Sequence, residues 1–276
     1  MTNILINGIE STCIDARDRG FQYGDGVFET IAWKDGKLQL WDEHMLRMQS
    51  ACERLSLACV DAENWLNDIQ QLNPENDCVI KLSISRGVSG RGYAYDKEDS
   101  VTRVAAVYPW PNYTQQSENG INAIICQTPI SINPSLAGIK HLNRLDNVLA
   151  KNEWQDEGIA EGLMLDNHQH VIEGTMSNVF CVLDNELYTP ALVRCGVSGV
   201  MRQQVIHIAE QMDIPVNVIE ISKQNFLQMD AVFVTNSIIG LWTVNKIIDD
   251  DVETEFAENE LVNQLKDCHR GTEAQR

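Results

Sequence analysis

Between Pro109 and Gly120 the apolar period of the chain breaks. The run Pro109-Trp110-Pro111-Asn112-Tyr113-Thr114-Gln115-Gln116-Ser117-Glu118-Asn119-Gly120 is made of turn formers and polar residues. Two prolines and no apolar stripe leave little to pair in a sheet or to bury as a helix face. A chain cut in this way has to build two cores. We therefore expect a small domain over 1–110, a connection over 111–120 and a larger domain over 121–276. The length agrees, since 276 residues are enough for two domains of roughly 100–200 residues each.

Ahead of the break, Ile4 and Ile6 begin a short strand that ends at the turn Asn7-Gly8. Val27 to Trp33 and Leu38 to Trp41 flank Asp35-Gly36, a strong hairpin signal. Asp42 is placed to cap a helix carrying Met45, Leu46, Met48, Ala51, Cys52 and Leu55 mostly along one face. A second helix is predicted over 61–72, then strands over 78–85 and 103–108. Beyond the break, strands are predicted over 121–126, 162–165, 171–173, 177–183 and 187–189, with turns at Asp166-Asn167 and Asp184-Asn185. A helix over 199–212 precedes strands near 216–221, 231–235 and 241–247, and the polar last dozen residues are expected to fray. Strands, helices, then strands describe an α+β protein.

Composition narrows the function. With 21 basic against 40 acidic side chains the net charge is −19, which opposes non-specific nucleic-acid binding and repels anionic lipid surfaces. Any anionic ligand then needs a locally basic pocket. None of the eight cysteines forms a C-x-x-C pair or meets a histidine at zinc-ligand spacing. Most lie in apolar runs such as Phe180-Cys181-Val182, as reduced cysteines do. No basic-then-apolar leader opens the chain, and no apolar stretch is long enough to span a bilayer. A cytoplasmic protein with no metal, membrane or nucleic-acid partner is expected.

Four runs have residues of the kind that do chemistry. Gly196-Val197-Ser198-Gly199-Val200-Met201-Arg202 leads into an amphipathic helix, whose first amides can hold an anion. Lys140 sits among mostly apolar neighbours, where a desolvated lysine becomes a nucleophile. Glu173 ends a strand before Gly174-Thr175-Met176-Ser177-Asn178. There its carboxylate can pair with a cationic ring nitrogen while the following hydroxyls and Asn178 bond its neighbours. Arg91 lies in the glycine-rich Ser89-Gly90-Arg91-Gly92-Tyr93, suited to a carboxylate. Taken singly, each is better read as an ordinary feature: a helix start, a lysine with its head in water, a strand end, a solvated loop. Arg47 alone reads as a solvated helix face, and His168-x-His170 as a hairpin turn without a third ligand. Taken together they match a phosphorylated aldehyde cofactor, which needs a lysine, an anion cradle and an acid for its ring nitrogen.

These runs resemble the fold-type IV pyridoxal-phosphate enzymes, the class IV aminotransferase family, over nearly the whole chain. The resemblance is carried by Asp18-Arg19-Gly20-Phe21-Gln22-Tyr23-Gly24-Asp25-Gly26-Val27-Phe28-Glu29-Thr30, by His44-Met45-Leu46-Arg47 and by Glu173-Gly174-Thr175-Met176-Ser177-Asn178-Val179-Phe180. Within the family, Ser89 to Tyr93, Ala137 to Leu145 and Gly196 to Arg202 are most similar to the aminodeoxychorismate lyases. These split 4-amino-4-deoxychorismate into 4-aminobenzoate and pyruvate, on the route to folate.

The resemblance implies an α+β fold: a small N-terminal α/β sandwich and a larger, mixed, β-barrel-like domain with helices. It implies pyridoxal 5'-phosphate and a homodimer with the site between the two domains. It makes Lys140 the lysine that bonds the cofactor aldehyde and the base of the reaction, and Glu173 the acid on the pyridine nitrogen. Arg47, the amides of Val200 and Met201, and a loop at Asn236 and Ser237 match the phosphate contacts, and Asn178 lies beside the ring. Arg91 is the candidate for one substrate carboxylate, with no partner assigned to the other. Phe28 lines the substrate, and Thr30, on the same strand face, is an option for proton delivery to the leaving group.

Two departures bear on the assignment. Met201 stands where aminotransferases of the family commonly have threonine, and no Gly-Gly-Asn-Tyr follows Lys140 as in branched-chain aminotransferases. The main alternative is a transaminase acting on D-amino or branched-chain amino acids. A cofactor-carrying protein without activity, and an acidic scaffold without cofactor, are the others.

Overall fold

The computed structural model describes residues 3–95 and 100–275, with side chains through His269. It divides into two compact units. One ends at Asn112 and also takes in Ile139–Asn143; the other comprises Tyr113–Gly138 and continues from Arg144.

The first unit contains β1 (Ile4–Ile6), β2 (Ile9–Glu10), α1 (Arg19–Tyr23), β3 (Gly26–Lys34), β4 (Lys37–Leu38), α2 (Trp41–Arg54), α3 (Ala62–Leu72), β5 (Cys78–Ser85) and β6 (Thr102–Pro109). The strands form a six-stranded antiparallel sheet in the order β2-β1-β6-β5-β3-β4. Along β3 the pleat sends Val27, Glu29 and Ile31 to one face and leaves Phe28 and Thr30 half-buried on the other. The first face packs against α2 and α3, where Ile31, Ile80, Leu82 and Ile84 meet Met48, Cys52, Trp65 and Ile69. The hairpin turn forms at Asp35 and Gly36, with φ of 50° and 73°, the geometry that matches the strand twist.

Two local expectations fail here. Leu40, in the left-handed region at φ 53°, precedes α2, so Asp42 sits inside the first turn rather than at the cap. Its charge still favours the positive end of the helix. The strand expected over Leu38 to Trp41 is accordingly cut to Lys37–Leu38.

The second unit contains α4 (Thr114–Asn119), β7 (Ile121–Ile125), α5 (Leu145–Lys151), β8 (Ile159–Leu165), β9 (His170–Gly174), β10 (Asn178–Leu183), β11 (Glu186–Pro190), α6 (Val200–Gln211), β12 (Val216–Ile219), β13 (Ile221–Ser222), α7 (Lys223–Phe226), β14 (Ala231–Asn236), β15 (Gly240–Asp249), β16 (Val252–Glu255) and α8 (Glu260–Gln275). Its sheet is mixed, in the order β12-β11-β10-β14-β15-β7-β8-β9-β13, with β16 added to β15. The two ends of that order, β12 and β13, are separated in sequence by Glu220 alone. The sheet must therefore curl until its edges meet, which makes it barrel-like. Register shifts at Val244/Lys246, Asn122/Ala123 and Met164/Leu165 supply bends of the kind that curvature needs. Phe180 and Phe233 stack face to face across β10 and β14 at 5.0 Å.

Part of the expected connection, 111–120, is the helix α4. The expected frayed end is also a helix: α8 buries Leu261, Val262 and Leu265, an apolar stripe easily lost among polar neighbours. Among the described residues, no helix is long and apolar enough to cross a membrane, and no cluster of metal-ligating side chains occurs. All eight cysteines are free thiols.

Candidate active site

Lys140 lies in the short segment Ile139–Asn143, which belongs to the first unit although the chain on either side of it belongs to the second. The segment 139–143 runs beside the start of β3. The Phe28 amide donates to the Lys140 carbonyl at 3.0 Å, the Leu142 amide donates to Gly26 at 2.9 Å, and Val27 bridges His141. Ile139 is buried in the first core. The apolar neighbours noted in the sequence thus anchor the backbone and hold Lys140 beside Phe28. Its Nζ lies 4.5 Å from the centre of the Phe28 ring, within range of a cation–π attraction.

A second lysine shares that ring. Lys81 Nζ lies 5.2 Å from the Phe28 centre, and Lys81 is the direct cross-strand partner of Thr30. Phe28, Thr30, Lys81 and Ser83 therefore share the sheet face turned away from the helices. Reading the sequence did not single out Lys81. The alternation of Cys78 to Ser85 put it on the polar face of a strand, but only the β3–β5 register puts it across from Thr30.

Behind this face Glu29 is 1% exposed and carries two basic partners from α2. Arg47 donates through Nε to Glu29 Oε1 at 2.7 Å and through Nη2 to Oε2, and His44 Nδ1 lies 2.6 Å from Oε2. Burial by itself would raise the Glu29 carboxyl. The Arg47 charge and the hydrogen bonds of His44 and Arg47 outweigh it and bring it to about 2. Burial pushes His44 below its ordinary range, with Glu29 opposing. The ionised Glu29 can only accept, so His44 Nδ1 carries the proton, and the buried Nε2 has no hydrogen-bond partner. Arg47 is thus no solvated face residue; a buried carboxylate sets the plane of its guanidinium.

Arg91 is exposed, in a loop that α1 holds in place.

In the second unit Glu173 closes β9 at 3% exposure. Its Oε2 accepts the Val197 amide at 2.7 Å. Asn178 Nδ2 lies 3.5 Å from the same oxygen and donates to the Val197 carbonyl at 2.9 Å. The strand end and the loop ahead of α6 are thereby joined, and Gly138 joins them too, donating to Gly196 and accepting from Ser198. Gly199 is the residue before the first turn of α6, and no side chain caps that turn. A Cβ on Gly199 would lie 1.9 Å from Asn178 Oδ1. The close approach of Asn178 to that backbone requires glycine.

Two arginines inside the quoted motifs, to which the sequence reading gave no role, surround Glu173 electrostatically. Burial pushes Arg144 and Arg202 down, and the Glu173 charge opposes the shift in both. Arg202 also ties α6 to β11, donating to Thr189 Oγ1 at 3.2 Å and to the Pro190 carbonyl at 3.1 Å.

The hydroxyls after Glu173 turn to a second buried carboxylate. Thr175 and Ser177 each donate to Glu161 at 2.6 Å. Glu161 is fully buried and shapes the turn between β9 and β10; spaced as one more strand residue, it gave no signal in the sequence. Asn236 also spends its side chain locally, accepting from Ile238 and Ile239 and donating to Met176. It shapes the loop that carries Ser237. Phe28, Thr30, Arg47, Arg91 and Lys140 thus lie in the first unit, and Glu173, Asn178, Val200, Met201, Asn236 and Ser237 in the second.

The second unit fits the cofactor that the resemblance implies. The glycine-lined, uncapped start of α6 suits an anionic phosphate. The buried Glu173 carboxylate, held by an amide and flanked by two guanidinium charges, suits a protonated ring nitrogen.

The amino-transferase class IV family model matches residues 26–247. The aminodeoxychorismate lyase of Vibrio harveyi is 34% identical, over 95% of this chain and 97% of that protein. The D-alanine aminotransferase of Bacillus licheniformis is 29% identical, over 88% of each. Among solved structures, 4-amino-4-deoxychorismate lyase from Pseudomonas aeruginosa aligns with a TM-score of 0.91 at 38% identity, covering 97% of this chain and 98% of that one. A branched-chain amino acid aminotransferase from Escherichia coli aligns with a TM-score of 0.84 at 22% identity, over 97% and 92%, a likeness of fold.

Proposed function

Because the chain belongs to the class IV aminotransferase family, we propose that it is a pyridoxal-phosphate-dependent lyase cleaving 4-amino-4-deoxychorismate to 4-aminobenzoate and pyruvate. The observation that carries this reading is the second lysine on Lys140's aromatic neighbour. The substrate has two carboxylates; Arg91 is assigned to one, and Lys81, across from Thr30, supplies a cation for the other. The similarity to the Vibrio and Pseudomonas lyases supports the same choice.

When bound, the cofactor supplies an electron sink conjugated to the substrate's amine-bearing carbon. Glu173 holds the proton on the pyridine nitrogen, and Asn178 keeps the loop beside it in place. Arg47, fixed by Glu29, and the amides of Val200 and Met201 hold the phosphate. With Met201 in place of threonine, those amides do so without a side-chain hydroxyl. The Lys140 amine takes the proton from the amine-bearing carbon. The carbon–oxygen bond to the enolpyruvyl group then breaks, and Lys140 or Thr30 returns a proton to the departing methylene carbon, giving pyruvate. Aromatisation of the ring makes the step irreversible.

A cytoplasmic homodimer completes the reading. Eight free thiols suit a reducing compartment. Leu145, Val148 and Leu149 are 75, 52 and 60% exposed on one face of α5, an apolar stripe suited to cover by a second copy. Leu149→Lys is expected to shift the sedimenting species from dimer to monomer; a wild-type monomer would remove the proposal.

The deciding assay gives the loaded enzyme aminodeoxychorismate without any 2-oxo acid. Equimolar pyruvate and 4-aminobenzoate are expected. Amino-group transfer that starts only when a 2-oxo acid is added would make the protein a transaminase. Lys140→Ala is expected to lose both turnover and the visible absorption of the bound cofactor.

A further inference from the structure

The loop that carries Arg91 is rich in glycine, with Gly87, Gly90 and Gly92 within six residues. Such a loop samples many shapes and would hold an arginine poorly. The structure closes it around a buried cation. Arg19, 4% exposed on α1, donates to three successive carbonyls: Gly92 at 2.9 Å, Tyr93 at 3.1 Å and Ala94 at 3.3 Å. Its Nε donates to Asp25 Oδ2 at 2.8 Å. Four bonds thus engage a group with five donors in a fixed fork, an arrangement lysine cannot copy.

Asp25 is shared. Arg86, 6% exposed, reaches both of its oxygens at 2.9 and 3.1 Å, and also the carbonyls of Ser56 and Leu55. Tyr95, at the far end of the loop, lies over the Arg86 guanidinium at 3.8 Å. At the near end the Arg19 amide donates to the Gly87 carbonyl at 2.8 Å. Two buried guanidiniums on one carboxylate leave an excess positive charge, which the loop carbonyls offset. Because the carbonyls of 92–94 turn inward to Arg19, the side chains turn outward: Tyr93 is 85% exposed, and Arg91 is exposed beside it.

We propose that Arg19 is a positioning residue that sets the shape of the 90–94 loop and so presents Arg91 to a substrate carboxylate. This rests on the reading of Arg91 given above. It makes Arg19, through Asp25 and Arg86, a determinant of affinity for a carboxylate substrate rather than of the chemical step.

A double-mutant cycle on the holoenzyme tests it, with aminodeoxychorismate as substrate. Arg19→Lys is expected to raise KM about tenfold with kcat within about twofold, while cofactor affinity and visible absorption stay at wild-type values. Arg91→Met is expected to raise KM similarly, and the double variant to be no worse than Arg91→Met alone, because Arg19 acts through Arg91. Gly92→Ala provides a route that leaves the buried cluster intact. Its φ of +98° strains alanine, but a Cβ there meets nothing within 4 Å. It too is expected to raise KM, with no additional effect in the Arg91→Met background. Losses that add in the double variants, or an unchanged KM in both Arg19→Lys and Gly92→Ala while Arg91→Met raises it, would overturn the inference and leave the reading of Arg91 standing. An unchanged KM in Arg91→Met would overturn the reading of Arg91 and the inference with it.

Discussion

Glu29 shows how much a single buried charge decides. Its carboxylate is compensated by Arg47 and steadied by His44, and removing one member of such a pair leaves the others buried and uncompensated. Glu29→Gln is expected to cost roughly 3–5 kcal/mol of stability, measured by denaturant unfolding, and to weaken cofactor retention because the Arg47 guanidinium loses its anchor. A variant with wild-type stability and wild-type cofactor retention would instead show that Arg47 is held by other groups.

The pH dependence has a definite sign. Glu29 is depressed from 4.5 to about 2, so its contribution is complete above about pH 4.5 and is lost as the pH falls toward 2. His44 is depressed below 6.5, so the unfolded chain takes up that proton first, and stability falls as the pH drops below 6.5. Between pH 7 and 5 the His44 contribution operates alone of the two. His44→Gln is expected to flatten the fall of Tm in that interval relative to wild type; parallel curves would refute it.

At the scale of elements, the start of α6 is set by its neighbours rather than by a cap. Ordinarily serine or aspartate would satisfy the first amides. Here Gly199 occupies that position and Asn178, committed to Val197, packs against it. Gly199→Ala forces a Cβ to within 1.9 Å of Asn178 Oδ1, so either the helix start or Asn178 must move. Binding of pyridoxal phosphate is expected to weaken by about tenfold or more, read by fluorescence titration, together with a lowered Tm. Unchanged affinity would mean that the α6 start does not hold the phosphate.

At the scale of the molecule, the chain order and the spatial units do not coincide. Residues 139–143 complete the first unit from within the sequence of the second. A fragment ending at Asn112 would lack Ile139, buried in the first core, and the backbone bonds made to Gly26 and Phe28. Burying one isoleucine is worth about 1.5–3 kcal/mol, a large share of the stability of a small domain. The 1–112 fragment is expected to show little cooperative thermal unfolding and rapid proteolysis, and a cooperative transition at the full-length Tm would argue against a role for 139–143. The net charge of −19 and pI near 4.6 place the solubility minimum close to pH 4.6, where repulsion between molecules vanishes.

Local chemistry was legible in the sequence. The period-2 runs at Val27 to Trp33 and Cys78 to Ser85, the Asp35-Gly36 turn and the glycine-led start of α6 depend on neighbouring residues, and all formed. Lys140 and Glu173 stood out by residue type within recognisable motifs. What depended on partners far along the chain did not show. The register that sets Lys81 across from Thr30, the capture of Thr175 and Ser177 by Glu161, and the winding of the Arg91 loop about Arg19 each join residues 14 to 75 positions apart. Cap and hydroxyl preferences are local tendencies of about 1 kcal/mol, and a buried carboxylate or guanidinium in need of partners outweighs them. That competition is settled only when the chain is folded.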